Sequence, residues 1–325
     1  MKLPEETERA IEAEAASIPT RKLAAAVERL GRYYQSPDTE RAPSFAIPEV
    51  RIAYALTRMP AIFQVNRLVL AALEPMQPAI ASVLDLGCGP GTATIATCEA
   101  FEGLRKATLI DRDDGWFDLG RRMVSAVDAS VETRFVKSAI ERAGSFEDHD
   151  LVIASYALGE LPSSDARDVI ARAWPAARMG IAIVEPGTPH GFATILAARD
   201  ELIGAGAAIA APCTHALGCP MASGDWCHFD TRVERTPRHR RAKSGTLPYE
   251  VEKFSYLVAT KSPLSSRPTA SRVIKHPLKR GGHVVLDLCT SLGRAERIVV
   301  SRRDKEAYRD ARDAKWGDVW VENDR

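Results

Sequence analysis

A glycine-rich turn, Asp85-Leu86-Gly87-Cys88-Gly89-Pro90-Gly91, follows a short apolar run and precedes a helix-like segment, Thr92 to Phe101. Glycines at such a turn accept positive φ and let a ligand approach the backbone, while the following helix offers free N–H groups. The pattern continues downstream. Apolar runs at 107–111, 133–137, 150–155 and 180–186 alternate with helix-like stretches at Trp116–Val127 and Ser164–Ala173, and a further helix is expected from His190 to about Ala207. Strands alternating with helices of about ten to fifteen residues specify a parallel sheet with helices on both faces.

Asp111 closes the second strand twenty residues after Gly91, where a carboxylate can accept both hydroxyls of a ribose. The turn is G-x-G-x-G rather than the G-x-G-x-x-G of a dinucleotide binder, and no Walker lysine follows. It resembles the first motif of class I S-adenosylmethionine (SAM) methyltransferases; a turn with no ligand is the alternative. The resemblance implies a Rossmann-like α/β sheet, with SAM contacts from Asp85, Gly87, Cys88, Gly89, Pro90, Gly91 and Asp111, and from Ser155 at the end of the fourth strand. Open α/β sheets bind ligands at the carboxyl ends of their strands, which brings in 137–139, 155–160 and 185–188. Directly after the fourth strand, at 156–160, there is neither the Asn/Asp-Pro-Pro-aromatic sequence of amino-group methylating enzymes nor a Pro-Cys nucleophile. No catalytic residue is therefore assigned, since Glu160 and Glu185 suit a base or a cap of a neighbouring helix equally.

The flanks differ in texture. Residues 1–80 read as a helical region, with apolar spacings of three and four over Glu5–Ala16, Arg21–Tyr34 and Pro48–Glu74. The proline-bearing 35–45 interrupts them, and Pro60 and Pro75 divide or end the last. A SAM-binding domain at 81–210 is followed by a Cys-rich, basic loop at 211–250. From 251 to 325 the chain reads as strands at 253–261, 272–276, 283–289 and 296–301, with a hairpin turn at 279–282, a helix at 305–315 and the Trp316–Trp320 segment. These strands either complete the sheet or form a small β-rich subdomain. Leu202–Gly224 lacks Asp, Glu, Lys and Arg, but its prolines, glycines and His215 argue against a membrane helix. The acidic N-terminal residues lack an apolar core, so a cytoplasmic protein with no membrane partner is expected, acting as a monomer.

Cysteine usage carries the second constraint. Cys213-x5-Cys219-x7-Cys227 stands in a proline- and glycine-rich loop, and Cys289 lies 62 residues further on. In a reducing compartment clustered thiols bind metal more often than they form disulfides. Four thiolates suit tetrahedral zinc or a [4Fe–4S] cluster, and the wide, unequal spacing fits a cluster better than a ribbon of C-x2-C knuckles. His215 and His228 offer a Cys3His zinc site instead. Plain core packing accounts for Cys88 and Cys98 but fits poorly for three cysteines in one such loop.

With 44 basic and 43 acidic residues the net charge is +1, so any nucleic-acid footprint must be local. Such a footprint exists at 231–244, where Arg232, Arg235, Arg238, Arg240, Arg241 and Lys243 stand against Glu234 alone. It reads as a phosphate-binding surface for RNA or as a solvated loop.

Pro212-Cys213-x5-Cys219-Pro220-Met221, Asp225-Trp226-Cys227-His228-Phe229, His239-Arg240, Leu247-Pro248-Tyr249-Glu250, Glu252 to Leu257 and Leu286-Asp287-Leu288-Cys289 together resemble the Rsm22 family, methyltransferase-like assembly proteins of the small ribosomal subunit. Tyr54-Ala55-x2-Arg58-x-Pro60 and Glu185-Pro186-Gly187-Thr188 also fit, and the resemblance runs from about residue 50 to Trp320. It implies SAM binding, a [4Fe–4S] cluster on Cys213, Cys219, Cys227 and Cys289, and small-subunit ribosomal RNA as partner, in a bacterial-type member. One departure is visible: Phe229-Asp230-Thr231-Arg232 stands where the family tends to have Phe-Ser-Gln-Arg, which leaves the ligands unchanged. Three functions compete: transfer of methyl to RNA, a non-catalytic assembly factor, and a zinc-bearing small-molecule methyltransferase.

Overall fold

The computed structural model describes residues 2–35, 45, 47–77, 79–221, 224–243, 245–264 and 270–321. The N-terminal region folds as α1 (Glu5–Ala16), α2 (Thr20–Gln35), α3 (Pro48–Thr57) and α4 (Met59–Leu70). Glu5, Glu6 and Glu8 in the first turn of α1 oppose the positive end of the helix dipole, and Thr7, Ile11 and Ala15, four apart, form its buried face. The helix expected from Pro48 onward breaks at Arg58, ahead of Pro60 on the first turn of α4. Most of the proline-bearing 35–45 segment falls outside the described residues.

Next come β1 (Ser82–Leu86), α5 (Thr92–Ala100), β2 (Lys106–Asp111), α6 (Phe117–Val127), β3 (Glu132–Lys137), β4 (His149–Ser155), α7 (Ser163–Ala176), β5 (Ala177–Pro186) and α8 (Pro189–Gly204). The rest is β6 (Ala208–Ala211), β7 (Phe229–Glu234), α9 (Pro237–Ala242), β8 (Tyr249–Thr260), β9 (Ala270–Val273), β10 (Leu278–Lys279), β11 (His283–Cys289), β12 (Ala295–Ser301), α10 (Lys305–Asp313) and β13 (Val319–Val321).

The first sheet runs β3-β2-β1-β4-β5-β8-β6, with β7 also paired to β8. Strands β1 to β5 are parallel, whereas β8 is antiparallel to β5, β6 and β7. All five residues of β1 are buried, as a strand covered on both faces requires. This is the Rossmann-like α/β sheet that the glycine turn implies. A second, antiparallel sheet runs β10-β11-β9-β13 with β12 on β11, and α10 packs Ala311 against its Val284, Leu286, Leu288 and Val300.

Five elements have no counterpart in the sequence pattern, two of them the short strands β10 and β13. β6, β7 and α9 lie where the chain reads as the end of a helix and a loop, so the expected 211–250 loop is partly regular structure. β8 joins the first sheet between β5 and β6, while the strands after it build the second. The described residues of the charge-free Leu202–Gly224 stretch are the end of α8, then β6, then loop up to 221; among the described residues no helix is long and apolar enough to cross a membrane.

Candidate functional site

Strand order reverses between β1 and β4, and the crevice beyond their carboxyl ends is where open α/β sheets bind ligands. Gly87, Gly89 and Gly91 there have φ of 71°, 51° and 79°, a region L side chains rarely enter. A Cβ on Gly87 would stand 2.5 Å from Ala157 Cβ, so the turns after β1 and β4 touch only because residue 87 has no side chain. Gly87 and Cys88 N–H groups donate to Ile110 O at 2.9 and 3.0 Å. Gly89 N–H donates to Asp111 Oδ2 and Asp113 N–H to Asp111 Oδ1, each at 2.8 Å. Asp111 is thus locked to the turn at the rim of the crevice. Burial raises its pKa, partly offset by these two N–H donors.

The other expected contacts divide by exposure. Asp85 is 1% exposed and accepts from the Thr94 N–H and hydroxyl at 3.1 and 2.8 Å, so it anchors α5 from inside rather than facing a ligand. Burial pushes its carboxyl up to about 7. Cys88 and Pro90 are buried within the turn, and Gly91 caps α5. Ser155 is half-buried at the end of β4, and its hydroxyl accepts from Asn66 Nδ2 of α4 at 2.8 Å. Glu185 is 1% exposed; its Oε1 accepts the N–H groups of Leu158 and Gly159 at 2.9 and 3.0 Å. Of its two expected roles, the capping one is realised. Glu160 pairs with Arg112 at 3.1 Å.

A polar network beside this crevice has no motif of its own in the sequence. Arg58 Nη1 and Nη2 donate to Glu252 Oε2 and Oε1 at 3.0 and 2.9 Å, and the Tyr156 hydroxyl donates to Oε1 at 3.1 Å. Tyr156, directly after β4, has φ 57°, a strained value for an aromatic residue. Gln64 of α4 donates to Thr231 Oγ1 and Arg232 O at 2.5 and 2.6 Å. Arg58 and Glu252 both stand in the segments that carry the family resemblance, which was the available signal.

Cys213, Cys219, Cys227 and Cys289 line a single apolar cavity of about 30 Å³, together with Arg199, Arg272 and His215. The far cysteine arrives there because β11 ends at Cys289, paired with Arg272 of β9. Burial pushes the Cys219 and Cys227 thiols up and that of Cys289 to about 12. Arg199 holds the loop through His215 O and Leu217 O at 3.0 and 2.6 Å, and Arg272 through Pro212 O at 2.7 Å. His215 Nε2 lies 3.4 Å from Cys289 Sγ. His228, the other imidazole weighed for a Cys3His site, is not among the lining residues and stacks on Trp226 instead. Among the described residues no group of three or more His, Cys, Asp or Glu side chains is drawn together in metal-binding geometry. As a donor set four thiols on separate pieces of chain suit a cluster with four corners, and Arg199 and Arg272 suit its negative charge.

The structure divides the basic stretch. Arg235 and Lys243 both bind Glu250 Oε2, at 2.9 and 2.7 Å, and Arg238 pairs with Glu12 of α1. Arg240 is half-buried, with its Nε lacking a partner. Only Arg232, 4.8 Å over the Tyr249 ring, and Arg241 are exposed. His239 is wholly buried in this group, and burial lowers its imidazole to about 4. The six cations therefore do not present one common surface to RNA.

The family model described as Mitochondrial small ribosomal subunit Rsm22 matches residues 48–321. The human mitochondrial ribosome assembly protein METTL17 is 26% identical over 255 residues, covering 73% of this chain and 55% of that protein. Rsm22-cox11 tandem protein 2, mitochondrial, of Schizosaccharomyces pombe is 26% identical over 293 residues, covering 73% of this chain and 38% of the other. The chain thus spans about half or less of the length of these relatives. Magnesium protoporphyrin IX methyltransferase of Synechocystis PCC 6803, solved with bound SAM, is 17% identical with a TM-score of 0.40, covering 72% of this chain and 90% of the other.

Proposed function

The chain belongs to the Rsm22 family, and from that premise we propose that it binds SAM and works on small-subunit ribosomal RNA during ribosome assembly. The observation that carries this reading is the glycine turn at the switch point, with Asp111 fixed at its rim by Gly89 and Asp113. Asp111 keeps lone pairs for the ribose hydroxyls, and the N-terminus of α5 favours the carboxylate of the amino-acid tail. Removing a charged acceptor of two hydrogen bonds costs about 1.5–3 kcal/mol for each. Asp111→Ala is therefore expected to weaken SAM binding at least about tenfold in calorimetry. Unchanged affinity would remove the ribose role.

The same reading gives Cys213, Cys219, Cys227 and Cys289 a [4Fe–4S] cluster, with zinc as the alternative metal. Its support is the shared cavity of the four thiols and the two arginines that brace their loop. Bound there, the cluster supplies iron–thiolate bonds that tie the 213–227 loop to the end of β11.

A second reading, in which SAM is bound without transfer of its methyl group, is favoured by the engagement of the nearest acids. Glu185 is spent on the turn at Leu158 and Gly159, and Glu160 on Arg112. Incubating radiolabelled SAM with immature small subunits separates the two: label in RNA establishes transfer, and its absence leaves the assembly role alone.

A further inference from the structure

The second sheet carries a cationic surface that the basic stretch at 231–243 does not include. Lys279 and Arg280 stand at the β10–β11 turn, and Arg302, Arg303 and Lys305 where β12 passes into α10. The two sites are adjacent: His283 pairs with Ser301 at the end of the ladder, and Arg302 N–H donates to Gly282 O at 2.9 Å. β10 and β12 flank β11 on opposite sides, two strand spacings or roughly 10 Å apart, so these cations gather at one end of the sheet. All five are exposed. None forms an ion pair among the described residues, whereas Arg235, Arg238 and Lys243 each face a carboxylate. Asp304, the acid within this segment, caps α10 by accepting the Ala307 N–H at 3.2 Å. Glu306 follows on the first turn of that helix. A Cβ built on Gly281 or Gly282 would meet nothing within 4 Å, so the turn stands in open space.

Like charges held this close repel one another even in water, and a polyanion offsets that cost while releasing its counterions. We propose that this end of the second sheet is a phosphate-binding surface for the RNA backbone. The proposal rests on the reading of the protein as an RNA partner and locates where the partner is held. Backbone phosphates carry no sequence information, so the surface positions RNA without selecting bases.

The test uses the full chain and a labelled RNA hairpin with a stem of about 16 base pairs, long enough to span two successive minor grooves. Affinity is measured across a salt series for the wild type, for K279Q/R280Q/R302Q/R303Q, and for a control with four exposed cations removed elsewhere, R9Q/K22Q/R121Q/R167Q. The tip variant is expected to bind at least about tenfold more weakly near 0.15 M salt, with a log–log salt slope shallower by about 3. The control should lose less than about threefold, since distant charges are screened. Equal losses in both variants, or a tip variant with wild-type affinity and slope, would overturn the proposal. So would displacement of the RNA by poly-glutamate at matched charge, which would point to an acidic protein instead. A wild type with no affinity for the hairpin would instead remove the underlying RNA reading, and the proposal with it.

Discussion

Glu185 shows how one side chain's surroundings settle its role. It is 1% exposed at the end of β5, holds two backbone N–H groups, and burial pushes its carboxyl up to about 8. A Cβ on Gly159 would stand 2.6 Å from Glu185 Oε2, so no room is left around the carboxyl group. A raised carboxyl pKa means that the folded state holds its proton more tightly than the unfolded chain. Stability from this group is full below the ordinary carboxylate pKa and is lost as pH rises through about 8. Across that window the loss approaches about 1.4 kcal/mol per pH unit. Thermal melting should therefore fall between pH 6 and pH 8.5, and Glu185→Gln, which keeps the N–H acceptor and carries no charge, should flatten that slope. An unchanged slope in the variant would show that other groups set it. In the sequence, Glu185 is equally compatible with a base and a cap, because the two partners that decide between them lie 26 and 27 residues away in the chain.

Among the elements, the junction of α3 and α4 is fastened to the sheet by Arg58 and Glu252. Their side chains are 23% and 11% exposed, and the pair also receives the Tyr156 hydroxyl. Breaking a buried pair by removing one partner costs about 3–5 kcal/mol. With some solvent access, Glu252→Ala is expected toward the lower end of that range, read as a reduced denaturation midpoint. Reversing the pair as Arg58→Glu with Glu252→Arg should recover less than the full loss, because Tyr156 then lacks its acceptor. A loss below about 0.5 kcal/mol, the scale of an ordinary surface change, would refute this role.

Legibility follows the strength of each periodic signal. The parallel strands were readable because continuous apolar runs between helices have few alternative arrangements. β11 likewise stands where its apolar run predicts it. β7 is not evident in the sequence, although Phe229 and Val233 are buried on one face, because Asp230, Arg232 and Glu234 give the segment the look of a charged loop. α9 has six residues, too few for a 3.6-residue period to emerge. The glycine turn with Asp111 beside it, and a grouping of the four cysteines, are legible in the sequence, and the chain brings each set together. The pairing of Arg235, Arg238 and Lys243 was not, because Glu12 and Glu250 approach them only through tertiary structure.

For the whole molecule, the two sheets meet at the four-thiol cavity: Ser255 of β8 donates to Cys227 O at 2.8 Å, and Cys289 belongs to β11 of the second sheet. The metal centre proposed there would couple their folding, since its ligands must be deprotonated and brought together. Purifying the chain without oxygen and measuring iron, sulfide, zinc and the visible spectrum tests this account most directly. About four iron and four sulfide per chain, with absorbance lost in Cys219→Ser, is the predicted result. A colourless wild type carrying zinc or no metal, or a Cys219→Ser protein retaining its full iron and colour, would contradict it.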